Sequence, residues 1–515
     1  MKRTIKIFAI TAAAVLLSSC DLDLFPTNAI AYQEGAQMIT TKDELTAYEK
    51  GILASFRGSL YGEFSMTEDI QCDAFNATVG FGNNWGGVHR GDNSFTSSDY
   101  YVRDFWGVNY IAIKNYNILL AAIDNVPEDI AADAKIVKGE ACFFRAFSYL
   151  NLVRHFAKDY DPATAETELG VPVVLVYNQN EKPSRNTVKE TYDAIKKDLD
   201  SAAVLLAGVA GKVRAAKPTI DAVNALYARY YLDIHEYANA VTAANSVITS
   251  AAGYTLSNSA AAMVDEFSKD SGKEPILQLF ASKTELPNSN SEYMLAASSK
   301  TYPVYLRPYY IPSGKLISLY EATDLRLAQW FDNTTPVEMN GSYFNDGTPN
   351  FYTFVKYYGN PDLQGSAVPN SCQAIKPLTI AEQYLIKAEA AQASGGDAAT
   401  PLNALQVARG ATATAATAAK IQDEWFKETV GEGLRLSCIK RWGTGYTART
   451  GQAGAVAASI LTVTPSAADY TGKAVSADDF HLVWPMPSSE CQVNPNLAAQ
   501  QNPGWSDVDE AKDGE

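Results

Sequence analysis

Residues 219–248 read TIDAVNALYARYYLDIHEYANAVTAANSVI, and this stretch decides the fold. Ala222, Leu226, Ala228 and Tyr231 mark one buried stripe, and Tyr237, Ala240, Ala244 and Val247 mark a second. Spacings of three and four residues are those of an amphipathic helix. The pattern predicts one helix over Thr219–Ile234, a short turn, and a second helix over Ala238–Ile248. Small side chains let two antiparallel helices approach closely, and the tyrosines fill the gaps between turns. The same texture returns at Ile380–Ala393 and Pro401–Arg409.

This alternation of small and aromatic positions is that of tetratricopeptide repeats. Working outward, Val188–Leu206 reads as a further helix. Ala134–Phe156 is another, with Ile136, Glu140, Phe143, Phe147, Leu150 and Val153 three or four apart. Tyr100–Asn125 has the same texture, and Thr41–Leu60 carries Leu45, Tyr48, Ile52 and Phe56 behind a Thr41 N-cap. Two stretches break the helical pattern. Gly80–Ser98 is rich in Gly, Asn and Ser, with isolated Phe81, Trp85, His89 and Phe95, and reads as a long loop. Loops of that length in compact domains are functional or disordered. Residues 253–377 are dominated by Pro, Gly, Asn, Ser and Tyr, broken by short apolar pieces such as Ile276-Leu277-Gln278-Leu279-Phe280. The expected fold is mostly α: a tetratricopeptide-like helical-repeat scaffold with a loop-rich irregular ligand-binding face. Residues 41–515 are expected to form one domain with the insertion at about 253–377, although length alone also permits two.

The N-terminus has its own logic. Lys2, Arg3 and Lys6 precede the apolar run Ile7–Leu17 and then Leu17-Ser18-Ser19-Cys20. A basic region, a short apolar core and small residues before a cut site describe a secretory signal over 1–19. The run falls short of the roughly 20 apolar residues that span a bilayer. Leu-Ser-Ser-Cys resembles the bacterial lipobox, so Cys20 is the expected lipid-bearing residue, followed by an extended tether over 20–40 with Pro26 and Gly35. The anchor implies an exported domain on a membrane surface.

Composition excludes several functions. The chain has 42 Lys and Arg against 58 Asp and Glu, and loss of the three basic signal residues leaves 39 against 58, or −19. Phosphate binding needs clustered Lys and Arg, so nucleic acid is excluded as a partner. Cys72, Cys142, Cys372, Cys438 and Cys491 are scattered without CxxC spacing, which supports neither a disulfide framework nor a zinc site. The four histidines, His89, His155, His235 and His481, sit in no nucleophile, HExxH or other catalytic motif, and no P-loop or GxSxG elbow is present. Acidic neighbours such as Asp478-Asp479 are expected by chance among 58 acidic residues. No enzyme activity, cofactor or metal is expected. Glu140 and Arg145 read as structural groups of a paired helix, and Glu432 and Arg435 as a local ion pair at i,i+3. Trp106, Trp442 and Trp484 are expected in the core.

Several blocks in chain order then resemble the SusD/RagB family of surface lipoproteins, the nutrient-binding partners of SusC-like TonB-dependent transporters. They are Cys20-Asp21-Leu22-Asp23 with Pro26, then Phe105-Trp106 leading to Tyr110, Ile113 and Asn117, and Lys138-Gly139-Glu140-Ala141 with Phe144-Arg145-Ala146-Phe147. The closing blocks are Glu432-Gly433-Leu434-Arg435, Lys440-Arg441-Trp442-Gly443, Trp484-Pro485-Met486-Pro487 and Asn502-Pro503-Gly504-Trp505. Two segments depart from the family pattern: Lys376-Pro377-Leu378-Thr379, where an Arg-rich opening is usual, and Lys427-Glu428, where a Glu-Arg pair is usual. These departures put the structural ion pairs in question. The resemblance implies an outer-membrane, surface-exposed lipoprotein that captures an oligosaccharide and acts as a lid over a TonB-dependent transporter. In that picture the helical repeats face the transporter, and Asp21 and Asp23 resemble surface-export signals.

Sugar binding asks for an aromatic platform beside amides. Phe81-Gly82-Asn83-Asn84-Trp85-Gly86 has that composition. In the starch-binding member of the family a Trp and an Asn from a comparable loop contact the glycan, so the resemblance points to Trp85 with Asn83 or Asn84. The competing reading is that Trp85 pins the loop to the scaffold. From the insertion, Tyr293, Tyr302, Tyr305, Tyr309 and Tyr310 are the aromatic candidates, and Trp330, behind Asp324-Leu325-Arg326, ranks lower. Two other readings are a peptide or non-sugar nutrient in the same role, and a purely structural tetratricopeptide adaptor.

Overall fold

The computed structural model describes residues 38–60, 62–92, 94–287, 296–297, 305–363, 372–447, 449–462 and 474–505. The signal, Cys20 and the tether, together with Tyr293 and Tyr302, lie outside the described residues.

Among the described residues, eight α-helices build the scaffold up to residue 248. They are α1 (Lys42–Ser59), α2 (Gly62–Gln71), α3 (Gly86–Arg90), α4 (Tyr100–Ala122), α5 (Ala131–Phe156), α6 (Val188–Leu205), α7 (Ile220–Asp233) and α8 (Tyr237–Ile248). Threonine caps set several starts. Thr41 and Thr187 each form a capping box with the glutamate three residues on, and Thr219 accepts from Ala222 N. Consecutive long helices pack side by side, and α8 then packs on α12 (Ile380–Ala393), which carries α13 (Ala399–Ala408) and α14 (Ala418–Glu428). A further helix, α15 (Arg435–Trp442), returns toward α2 and α5. The arrangement is the expected mostly α, tetratricopeptide-like one.

One hydrophobic cluster runs from Ile39 to Trp505, and a second occupies the late repeats around Ala240, Ala244, Leu385, Ile386, Leu402 and Trp425. Buried arginine–carboxylate pairs stitch the helices together. Arg145 grips Asp198 across α5 and α6 with two 2.7 Å bonds. Arg154 holds Asp233 of α7 at 2.7 and 2.9 Å, and Arg229 of α7 holds Glu382 of α12 with two 2.7 Å bonds. Two-pronged geometry is what keeps such pairs favourable away from water. Glu432 and Arg435 correct the local-pair expectation. Glu432 binds Lys356 at 2.7 Å, and Arg435 binds Asp73 at 2.7 and 2.8 Å. Gly433 between them has a φ of 69°, which bends the chain so that the two side chains diverge. Around Lys427 and Glu428 the pairing is mixed: Lys427 meets Glu424 one turn away at 2.7 Å, while Glu428 takes the distant Arg326 at 2.8 Å and Arg409 takes Glu274 at 2.7 Å.

The central segment is built from very short elements: α9 (Ala260–Phe267), α10 (Gly314–Ser318), α11 (Leu325–Trp330) and small sheets. Strand β1 (Phe75–Ala77) pairs antiparallel with β5 (Tyr310–Pro312), and β2 (Pro275–Leu277) pairs with β10 (Leu378–Thr379). Strands β3 (Ala296–Ala297), β4 (Leu306–Arg307), β7 (Val337–Met339) and β8 (Ser342–Phe344) form one sheet, and β6 (Phe331–Asp332) pairs with β9 (Thr353–Phe354). The piece Pro275–Leu277 is fully buried, the rule for a short apolar strand covered on both sides. All five later cysteines are unbridged.

Candidate functional site

The β1–β5 pair joins the early loop to the central insertion. Beyond β1, Thr78 N donates to Tyr309 O at 2.8 Å and its hydroxyl donates to Pro308 O at 2.8 Å. The chain then turns through Gly82, Asn83 and Trp85, with φ of 59°, 61° and 54°. Left-handed backbone at a tryptophan is uncommon and must be held by its surroundings.

Those surroundings overturn the reading of Gly80–Ser98 as a loop throughout. Gly86–Arg90 is helical, and Trp85, His89 and Phe95 are buried. Trp85 is only 2% exposed, so it is not a surface platform. Its indole N–H donates to Thr67 Oγ1 at 3.1 Å, and its ring stacks on Tyr101 at 4.8 Å with planes 13° apart. Tyr310 is likewise buried, and its hydroxyl donates to Asn84 O at 2.5 Å. Phe81 meets the Tyr310 ring edge-on at 6.1 Å. An indole or phenol whose polar tip finds an interior partner gains more from burial than from exposure.

The rings nevertheless reach the surface in relay. Tyr101 lies against Tyr100 with centroids 3.8 Å apart and planes tilted by 39°, and Tyr100 is 46% exposed. Asn83 is exposed and Asn84 half-buried beside it. Arg90 steadies the turn, donating to Asn83 Oδ1 at 2.9 Å, Asp92 at 2.8 Å and Ser94 at 2.7 Å. Burial works to raise the Asp92 carboxyl, but hydrogen bonds from Ser94 and the Arg90 charge prevail and hold it below its ordinary value. Beneath, burial and then the Arg449 charge push His89 well below the usual histidine range, so it is a neutral packing group.

A second aromatic group lies where the insertion folds back. Tyr305 is half-buried and meets Tyr343, 59% exposed, edge to face at 5.7 Å. The Arg307 guanidinium sits 5.6 Å over the Tyr305 ring and pairs with Glu338, the cross-strand neighbour of Tyr343. Tyr305 precedes the half-buried Tyr309 by four residues, ~13 Å of extended chain. Tyr100 and Tyr343 were not among the sequence candidates. Tyr343 had a signal: Asn340-Gly341, with φ of 51° and 81°, is a two-residue hairpin turn that lifts the next strand to the surface. Trp330 is fully buried in the scaffold.

A SusD-like family model described as "Starch-binding associating with outer membrane" matches residues 22–232, and the SusD family model matches residues 326–505. The chain belongs to the SusD/RagB family. Its fold is that of solved SusD superfamily proteins. One from Bacteroides thetaiotaomicron is 24% identical, with a TM-score of 0.74 over 90% of this chain and 100% of that one. Another from Bacteroides vulgatus is 23% identical, with a TM-score of 0.71 over 91% and 100%. A laminarin-binding SusD-like protein is 19% identical, with a TM-score of 0.67 over 90% and 100%. No curated protein matches the chain in sequence. Among the described residues no helix is long and apolar enough to cross a membrane, and no cluster of three or more His, Cys, Asp or Glu is placed to hold a metal.

Proposed function

We propose that this protein is a surface lipoprotein of the outer membrane, anchored through Cys20, that captures oligosaccharides and hands them to a SusC-like TonB-dependent transporter as its lid. It binds without catalysing a reaction. One observation carries the glycan reading: the relay Trp85–Tyr101–Tyr100 brings an aromatic face to the surface next to the Asn83 and Asn84 amides. A pyranose presents an apolar C–H face fringed by hydroxyls, and a ring flanked by amides answers both parts. Trp85 and Tyr310 form the buried backing of this site, while Tyr100, Asn83 and Asn84 make its surface. Tyr305, Tyr309 and Tyr343 extend it along the insertion. Family membership supports the role, and the likeness to a laminarin-binding relative supports a glycan ligand at the level of the fold. The helical repeats, on this reading, face the transporter.

Calorimetric titration of the mature chain with oligosaccharides and, in parallel, with peptides tests the proposal. Saturable glycan binding, lost in Tyr100→Ala without loss of thermal stability, is the expected outcome. Binding of peptides alone would sink it.

A further inference from the structure

A cavity of about 120 Å³ lies at the seam between the helical scaffold and the central insertion, away from the glycan face. Six carboxylates line it: Glu68, Glu266, Glu274, Glu382, Glu428 and Glu432. Four have a cationic partner within the protein, and a fifth faces a histidine. Glu68 lies 2.9 Å from His155, Glu274 and Glu428 share Arg409, Glu382 holds Arg229, and Glu432 holds Lys356. Lys376, also on the wall, is taken by Asp270 at 2.7 Å. Glu266 is the exception. It is 1% exposed, its Oε2 accepts only Glu274 N at 3.3 Å, and its Oε1 has no partner. Facing the same cavity, Gln373 is 4% exposed with neither its amide oxygen nor its amide nitrogen satisfied.

An unpaired buried acid and a wholly unpartnered buried amide in one cavity are costly, since each such group carries its full desolvation penalty. The volume holds several waters, and the vacant protein donors on Glu266 and Gln373 are oxygens. Nitrogen and sulfur ligands are not on offer: the one histidine of the wall, His155, is engaged by Glu68. Hard oxygen donors with room for water select calcium-like cations over zinc or copper. We propose that this cavity binds a hydrated hard cation, held by Glu266 Oε1 and Gln373 Oε1, with water completing its coordination. Glu266 comes from α9 and Gln373 from the irregular segment before β10, so the ion would tie the two ends of the insertion together.

The test uses the purified mature chain stripped with chelator, with calcium and terbium as the probes. Calcium is expected to raise the melting temperature, and terbium luminescence to be sensitised through nearby Tyr357, which lines the cavity. Both responses should vanish in Glu266→Gln, which keeps the shape, and calcium affinity should rise in Gln373→Glu. Wild-type protein that shows neither response, or a response that survives in a folded Glu266→Gln, overturns the site and leaves a cavity of water alone. Glycan titrations do not enter the test, so its failure leaves the glycan reading standing.

Discussion

Replacing Trp85 with alanine separates a backing role from a contact role. The side chain is 2% exposed, stacked on Tyr101 and hydrogen-bonded to Thr67. Truncating a buried Trp costs about 3–5 kcal/mol through lost transfer energy and the cavity left behind. The lost indole hydrogen bond adds about 1 kcal/mol. With an unfolding entropy of about 2.1 cal/mol/K per residue, a combined loss of ~5 kcal/mol lowers the melting temperature of one cooperative unit this size by ~5 °C. Trp85→Phe keeps a stacked ring, loses the N–H, and should recover most of that drop. Scanning calorimetry of both variants, beside glycan titrations at a temperature where each is folded, gives the needed pair of readings. The backing account expects Trp85→Ala to lose stability and glycan affinity together, because Tyr100 loses its support, whereas Tyr100→Ala loses affinity only. A Trp85→Ala protein with an unchanged melting temperature and abolished binding would refute the reasoning, since it would make Trp85 a direct contact.

Other expectations follow from the same geometry. Glu382→Ala leaves Arg229 buried and unpaired, which should cost about 3–5 kcal/mol by denaturant melting, while Arg229→Met with Glu382→Leu should restore most of it. Burial works against the Asp73 charge, but Arg435 and then Lys315 hold the carboxyl down to about 2. Its unfolded value is about 3.9, so its stabilising share is present above that pH and is lost as pH falls toward 2; Asp73→Asn should abolish this part of the acid transition. Glu140 runs the other way: burial and then the Glu49 charge lift it to about 8. Its stabilising share is complete below about 4.3 and is lost as pH rises toward 8, so Glu140→Gln should flatten the decline in melting temperature between pH 5 and 8.

The scaffold was legible because helices advertise themselves. The 219–248 pair, the 380–393 helix and the Thr41 start fall within a few residues of where periodicity and capping chemistry place them. The site was only half legible. A ring in a Gly- and Asn-rich turn has no periodicity to say which way it points, so Trp85 reads equally well as platform or core, and the Tyr309-Tyr310 pair of the insertion reads as binding candidates. Their direction is set by partners distant in sequence, such as Thr67 for Trp85. Tyr100 opens α4 at the margin of a helical run and looked like scaffold. Tyr343 is legible only through Asn340-Gly341, the turn that announces its hairpin. The arginine pairs depend on meetings between residues far apart, such as Asp73 with Arg435, which no local spacing encodes.

The central claim is that glycan is held on the aromatic and amide surface at Tyr100 and Asn83. A crystal structure of the mature chain with the oligosaccharide it binds most tightly tests that directly. The account predicts a sugar ring lying against Tyr100 with its hydroxyls on Asn83 or Asn84, and Trp85 still buried behind Tyr101. A saccharide bound on another surface, with Tyr100 and Asn83 left in solvent, would contradict it.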